Sequence, residues 1–346
     1  MFNRVTMLGG ALARQQDIRS QQASLATATG EVASGRKANL GRTLGAGLSV
    51  LYRLHAGVRQ ADALQSAATM VGQRLAATQA AMGQIAGVIG GVQTATLQYA
   101  LGNAGADPAL LASQARQAMS GMVALMNTRH GGESLFGGTD TASLPMRPAD
   151  EEGGAEQAIR ALVDGPVDAA SVKGLLDGVD AAFGERYGAL FYRSATGTAD
   201  APMEVRLGPG QSVRYNLCGD NPGFKDALKG LSLLSLLDAS DPATGKDLLD
   251  KDAKEAVRAR ASSLLSASQQ TLTAEAGQIG LVQQRVQAAA DAQSQAVTAA
   301  TVQINTLEGV DYYAASAQIE ALKVQLQATY SLTSSLSGLS LVNFLR

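Results

Sequence analysis

At 346 residues and 35.5 kDa the chain has room for two or three domains, yet aromatics are only 4%, Trp is absent and about 60 alanines supply much of the 46% hydrophobic content. Large core-filling side chains are scarce, which disfavours one thick core and suits thin helical layers, since alanine lets helices approach closely and has the highest helix propensity. The formal charge of −2 gives no overall pull toward nucleic acid or anionic lipid; locally, residues 1–130 hold 11 Lys/Arg against 4 Asp/Glu, residues 131–260 hold 14 against 21, and residues 261–346 hold 3 against 5, predicting at least two physical units.

The first residues, Met1 to Gly10, are followed at once by Arg14, Gln15, Gln16, Asp17 and Arg19. No apolar stretch of the length used by a cleaved secretion signal forms there, and no such signal is expected. Val5, Leu8, Leu12 and Gln15, then after a three-residue slip Ile18, Gln22, Leu25, Thr29 and Val32, keep heptad spacing and predict a terminal helix. The glycine-rich segment Gly41 to Gly47 follows a helix rather than a strand and lacks the GxGxxG pattern. It reads as a flexible joint.

Leu64, Ala68, Val71, Leu75, Thr78, Met82, Ile85, Ile89 and Val92 alternate steps of four and three, a heptad seam. From Gly131 onward the texture changes: Gly131-Gly132, Gly137-Gly138, Pro145, Pro148, Gly153-Gly154, Pro166 and Pro202 punctuate an acidic stretch of turns and short elements. Residues 203–207 and 212–217 alternate as two strands around a turn at 208–211, and residues 226–237 and 246–260 return to helix. A second long seam runs through Leu265, Ser268, Leu272, Glu275, Ile279, Val282, Val286, Ala289, Gln293, Ala296, Ala300, Gln303 and Leu307. With small and polar residues in it, such a helix needs a partner along its length.

Glu308-Gly309-Val310-Asp311 interrupts the pattern, with Gly309 as a stop and Asp311 as an N-cap. Beyond it Tyr312, Ala315, Ile319, Leu322, Leu326, Thr329, Thr333 and Leu336 resume heptad spacing. Gln, Thr and Ala occupy terminal positions where a stable dimer would carry Leu or Ile, so both terminal segments are expected to be loose in the free monomer and ordered by assembly. The fold class that follows is mainly α: a discontinuous, long antiparallel helical rod, N- and C-terminal halves packed together, with an α/β insert. The expected domains are 1–45 with 310–346 (assembly segments), 46–130 with 261–309 (rod) and 131–260 (outer insert).

Catalytic chemistry finds little to stand on. His55, His130 and the single Cys218 cannot supply a four-ligand zinc site, and one cysteine excludes an internal disulfide. Ser240 to Asp247 departs from a phosphate loop at its first Gly and its final Ser/Thr, and reads as a plain loop. Asp247, Asp250, Asp252 and Glu255 alternate with Lys246, Lys251 and Lys254, the pattern of a solvated helix face rather than of calcium ligands. The N-terminal basic residues are dispersed without interleaved aromatics, which gives only weak support to single-stranded nucleic acid binding. No uninterrupted apolar run reaches the roughly 18 residues of a membrane span, and Met82 to Val92 is too short for a spanning hairpin, which leaves a secreted membrane-interacting helical factor as the lesser alternative. Neither an enzyme nor a cofactor is expected.

Three strings carry a resemblance. Leu322 to Leu345 (LKVQLQATYSLTSSLSGLSLVNFL), Glu31-Val32-Ala33-Ser34-Gly35-Arg36-Lys37, and Glu133-Ser134-Leu135-Phe136-Gly137-Gly138-Thr139-Asp140 resemble segments of the bacterial flagellin family, over roughly residues 1–140 and 260–346. The third string favours the family's branch that joins hook to filament over the filament flagellins, which stay the alternative. The chain departs from the family after Lys37, where Ala38 to Leu44 has no Asp-rich stretch. The resemblance implies a structural subunit of the extracellular flagellum that polymerises with copies of itself, touches a neighbouring hook-associated protein and filament flagellin or a filament-side adaptor, and leaves the cell through the flagellar export apparatus. It also implies an export chaperone on the C-terminal helix, with no nucleic acid and no membrane insertion. The apolar residues expected to make the assembly contacts are Ile18, Leu25, Val32, Ile319, Leu322, Leu326, Leu336, Leu339, Leu341 and Phe344.

Overall fold

The computed structural model describes residues 2–102, 107–149, 151, 154–193, 203–208, 210–215, 217–241 and 243–342, with side chains between residues 12 and 335 of these stretches. In order the elements are α1 (Phe2–Ser34), α2 (Leu40–Leu44), a 3₁₀ turn (Gly45–Gly47), α3 (Leu48–Ala100), α4 (Pro108–Met126), β1 (Arg129–His130), β2 (Glu133–Ser134), α5 (Ala155–Arg160), α6 (Val172–Gly184), α7 (Tyr187–Leu190), β3 (Met203–Gly208), β4 (Gln211–Tyr215), α8 (Pro222–Ser235), α9 (Lys251–Glu308) and α10 (Tyr312–Val342). The fold is mainly helical, with long helices toward both ends and small two-stranded sheets between them. Two compact units are formed, residues 1–63 with 293–346 and residues 64–292. Their boundary falls within α3 and α9.

In the unit of residues 64–292, α3 and α9 run antiparallel: a Cβ on Gly72 would meet Val286, Gln79 Nε2 donates to Ala276 O at 3.4 Å, and Gly90 faces Gln269. The α3 seam falls where heptad spacing places it. Leu75, Ile85 and Ile89 are fully buried, with Ala68, Thr78, Met82 and Val92 buried beside them. On α9 the expected positions Leu265, Ser268, Leu272, Ile279 and Val286 are buried. Beyond Val286 the expected Ala289, Gln293, Ala300 and Leu307 stay half-buried, while Ala290, Val297 and Ile304 turn inward and the expected Ala296 and Gln303 are exposed. A straight helix drifts against a strict seven-residue repeat, and over 58 residues a four-residue step absorbs the drift.

The helix read at 246–260 and the long seam are one helix, since α9 starts at Lys251 and runs unbroken. Asp250 Oδ1 accepts from Ala253 N at 2.7 Å and caps it. The helix read at 226–237 begins earlier, at Pro222, because Asn221 Oδ1 accepts from Gly223 N at 2.9 Å and proline suits the first turn. α8 is buried almost all round and touches α9 through small residues: a Cβ at Gly223 would lie 3.0 Å from Leu272, one at Gly230 3.0 Å from Leu265. Ser268 Oγ donates to Gly223 O at 2.7 Å. α4, capped by Asp107, packs its Leu111, Ala115, Met119 and Met122 face on α8, and Arg116 grips Asp238 with bonds of 3.0 and 2.7 Å. That bond to Asp238 holds the Arg116 guanidinium above its ordinary value.

Among the described residues the sheets are two hairpins. β1 and β2 close around Gly131 and Gly132, whose φ values of 60° and 86° fit a two-residue primed turn. β3 and β4 pair antiparallel with Val205 opposite Val213, their ends within two residues of the boundaries read in the sequence. An isolated hairpin is marginal in water; this one is held by burying Leu207 and Val213. Nearby Phe183 lies 4.8 Å and Tyr187 5.7 Å from Phe191, ring centre to ring centre. Tyr187 donates to Gly219 O at 2.6 Å, and burial pushes its phenol well above the ordinary value. Cys218 is buried, as a small hydrophobe would be.

Two readings change. Gly41 to Gly47 is not a loose joint, because Asn39 Oδ1 accepts from Arg42 N at 3.1 Å and starts α2, which leads through the 3₁₀ turn directly into α3. Residues 40–100 also contain an 18-residue window apolar enough, by composition and length, to cross a bilayer, which a search for uninterrupted runs does not find. Leu75, Met82, Ile85 and Ile89 direct that apolarity into the core.

Candidate assembly interface

α1 and α10 pack antiparallel within the unit of residues 1–63 and 293–346. Gln22 Nε2 donates to Tyr330 OH at 2.7 Å, Thr329 Oγ1 donates to Gln21 Oε1 at 3.4 Å, and a Cβ on Gly35 would lie 2.8 Å from Tyr312 OH, which together define the register. On α10 the buried or half-buried positions are Ala315, Ile319, Leu322, Leu326, Thr329 and Thr333, at the expected spacing. Tyr312 is the exception, 57% exposed.

On α1 the inward row is Arg14, Ile18, Gln21, Leu25, Ala28 and Val32, an unbroken heptad. The slip expected after Gln15 is therefore not made, and Leu12 is 59% exposed. Gln22 and Thr29, expected in the seam, are exposed; Thr29 Oγ1 turns back to Leu25 O at 2.8 Å, while Ala28 takes the buried place. Of the ten residues expected to carry assembly, Leu326 is buried, and Ile18, Leu25, Val32, Ile319 and Leu322 are half-buried in this one intrachain seam. The side chains of Leu336, Leu339 and Leu341, and Phe344 altogether, lie outside the described residues.

Where α1 ends the chain makes a compact joint. Gly35 adopts φ 69°, the left-handed C-cap geometry. The following backbone then pairs with the break after α9: Lys37 N donates to Glu308 O at 2.8 Å, Val310 N to Gly35 O at 3.2 Å, and Arg36 bridges Gly309. Lys37 Nζ reaches Leu307 O at 3.1 Å, a cation on the last carbonyls of a helix. Glu31 Oε1 accepts from Ala38 N at 2.8 Å. Asp311 caps α10 as read, its Oδ1 accepting from Tyr313 N at 2.9 Å and Ala314 N at 3.2 Å.

Glu308 is the residue that sequence reading leaves without a role. It is 6% exposed, and its carboxylate meets His55 Nε2 at 2.7 Å and Arg36 at 3.7 Å. His55, 253 positions away, is thereby placed as a clasp between α3 and the end of α9. Because both partners are substantially exposed, water screens the pair. We expect Glu308→Ala to cost about 1–2 kcal/mol, chiefly by unpairing the joint. A thermal double-mutant cycle with His55→Ala should show a coupling of about 1 kcal/mol. Zero coupling would make the clasp incidental.

The string entering the middle region is equally constrained. Arg74 on α3, its side chain 8% exposed, donates to Glu133 Oε2 at 2.7 Å and to Ser134 O at 2.6 Å. Phe136 stacks edge-on against Phe224 at 5.4 Å, and a Cβ on Gly137 would collide with Asp140 O, so only glycine fits that turn. Among the described residues no three His, Cys, Asp or Glu side chains converge as a metal site. The loop at 240–247 satisfies itself, Asp241 accepting from Ala243 N and Thr244 Oγ1 at 2.8 and 2.7 Å.

Long helices from both ends of one chain, paired antiparallel, with a backbone-paired joint after the first of them and a small mixed region between them in sequence, define a class: subunits that use both termini together. The family model for the bacterial flagellin N-terminal helical region matches residues 5–141, and that for the bacterial flagellin C-terminal helical region matches residues 263–345. The chain belongs to the bacterial flagellin family, whose members are structural proteins that polymerise into the extracellular flagellum. A solved structure, described as a "putative flagellar hook-associated protein" from Vibrio parahaemolyticus, shares the fold at TM-score 0.53 and 10% identity, over 76% of this chain and 97% of that one. No curated protein matches in sequence.

Proposed function

We propose that this flagellin-family subunit joins hook to filament, polymerising through α1 and α10 into a ring or short helical layer. The observation that carries the assembly reading is the seam between those helices: its few buried apolar groups are interleaved with Gln21, Thr329 and Thr333, too little for a self-sufficient pair and suited to completion by neighbours. The junction role rests on the Leu135-Phe136-Gly137-Gly138-Thr139 entry, and on a hook-associated name among the structural relatives. On this reading residues 1–45 with 310–346 are the assembly segments, 46–130 with 261–309 the rod and 131–260 the outer part. Its neighbours are a hook-associated protein on one side and filament flagellin or an adaptor on the other. Export proceeds through the flagellar export apparatus, with a chaperone on α10.

Electron microscopy of cells lacking this chain is the test. The expected picture is hooks without filaments; ordinary filaments on every hook would end the junction reading, and absent hooks would move the role earlier in assembly. Loss of the filament body itself, with its main protein band, would instead identify the chain as filament flagellin.

A further inference from the structure

We draw no further inference here: the strongest candidate, the exposed stripe of small residues Ala76, Ala80, Gly83, Gly87 and Gly91 along α3, has open space over its glycines and no charge within it, but nothing in the structure shows what covers it.

Discussion

Deletion of residues 327–346 is expected to abolish filament attachment while leaving most of the helical signal of the monomer intact. The cut falls directly after Leu326, the last buried residue of the described α10 seam. It removes Thr329 and Thr333 from that seam. The pairing of α3 with α9 in the unit of residues 64–292 keeps all its buried residues. An assembly interface is thereby lost without loss of the larger core. Motility, electron microscopy of the truncated strain and far-ultraviolet circular dichroism of the purified chain together check this. Normal filaments on hooks built with the truncated chain would show that α10 is not the assembly element.

The second large effect lies in the core. Leu75 is 0% exposed and Val286 2% exposed, both on the facing seams of α3 and α9. Aspartate at either place buries a carboxylate among apolar side chains, and Arg74, the buried cation beside Leu75, is already taken by Glu133 and Ser134, so the carboxylate must either ionise in an apolar setting or take up a proton. We expect Leu75→Asp and Val286→Asp each to cost about 4 kcal/mol or more, with Leu75→Ala costing about 2–5 kcal/mol through the cavity alone. Urea unfolding followed by circular dichroism measures both. An unchanged midpoint for the two aspartate variants would mean that these seams do not face one another.

Helix spacing is the most legible feature, because a seam repeated every three and four residues needs only local sequence to be seen. The α3 seam from Leu64 to Val92, the α10 seam from Ala315 to Thr333, the stop at Gly309 and the cap at Asp311 all lie where spacing and capping chemistry place them. Phase is less legible. One residue turns a helix face by about 100°, and where Gln, Thr and Ala share the seam, neighbouring rows differ little in apolarity. For that reason spacing alone puts Gln22 and Thr29 on α1, and Ala296 and Gln303 on α9, one residue away from the positions that turn inward.

The Glu308 clasp is invisible in the sequence for a different reason. Its partners His55 and Arg36 lie hundreds of positions away, and an acid, a histidine and an arginine dispersed among polar residues have no periodic signature. The packing of α4 on α8 escapes in the same way, since α4 carries the same small apolar face that a rod helix would carry. The sequence by itself determined the helical class, the α3 and α10 seams and the strings that relate the chain to the flagellin family, all of them properties of residues close together in the chain. Tertiary structure alone decided which row of α1 and of the later part of α9 is buried and which charge is clasped in the joint, because those depend on a partner surface that no local stretch contains.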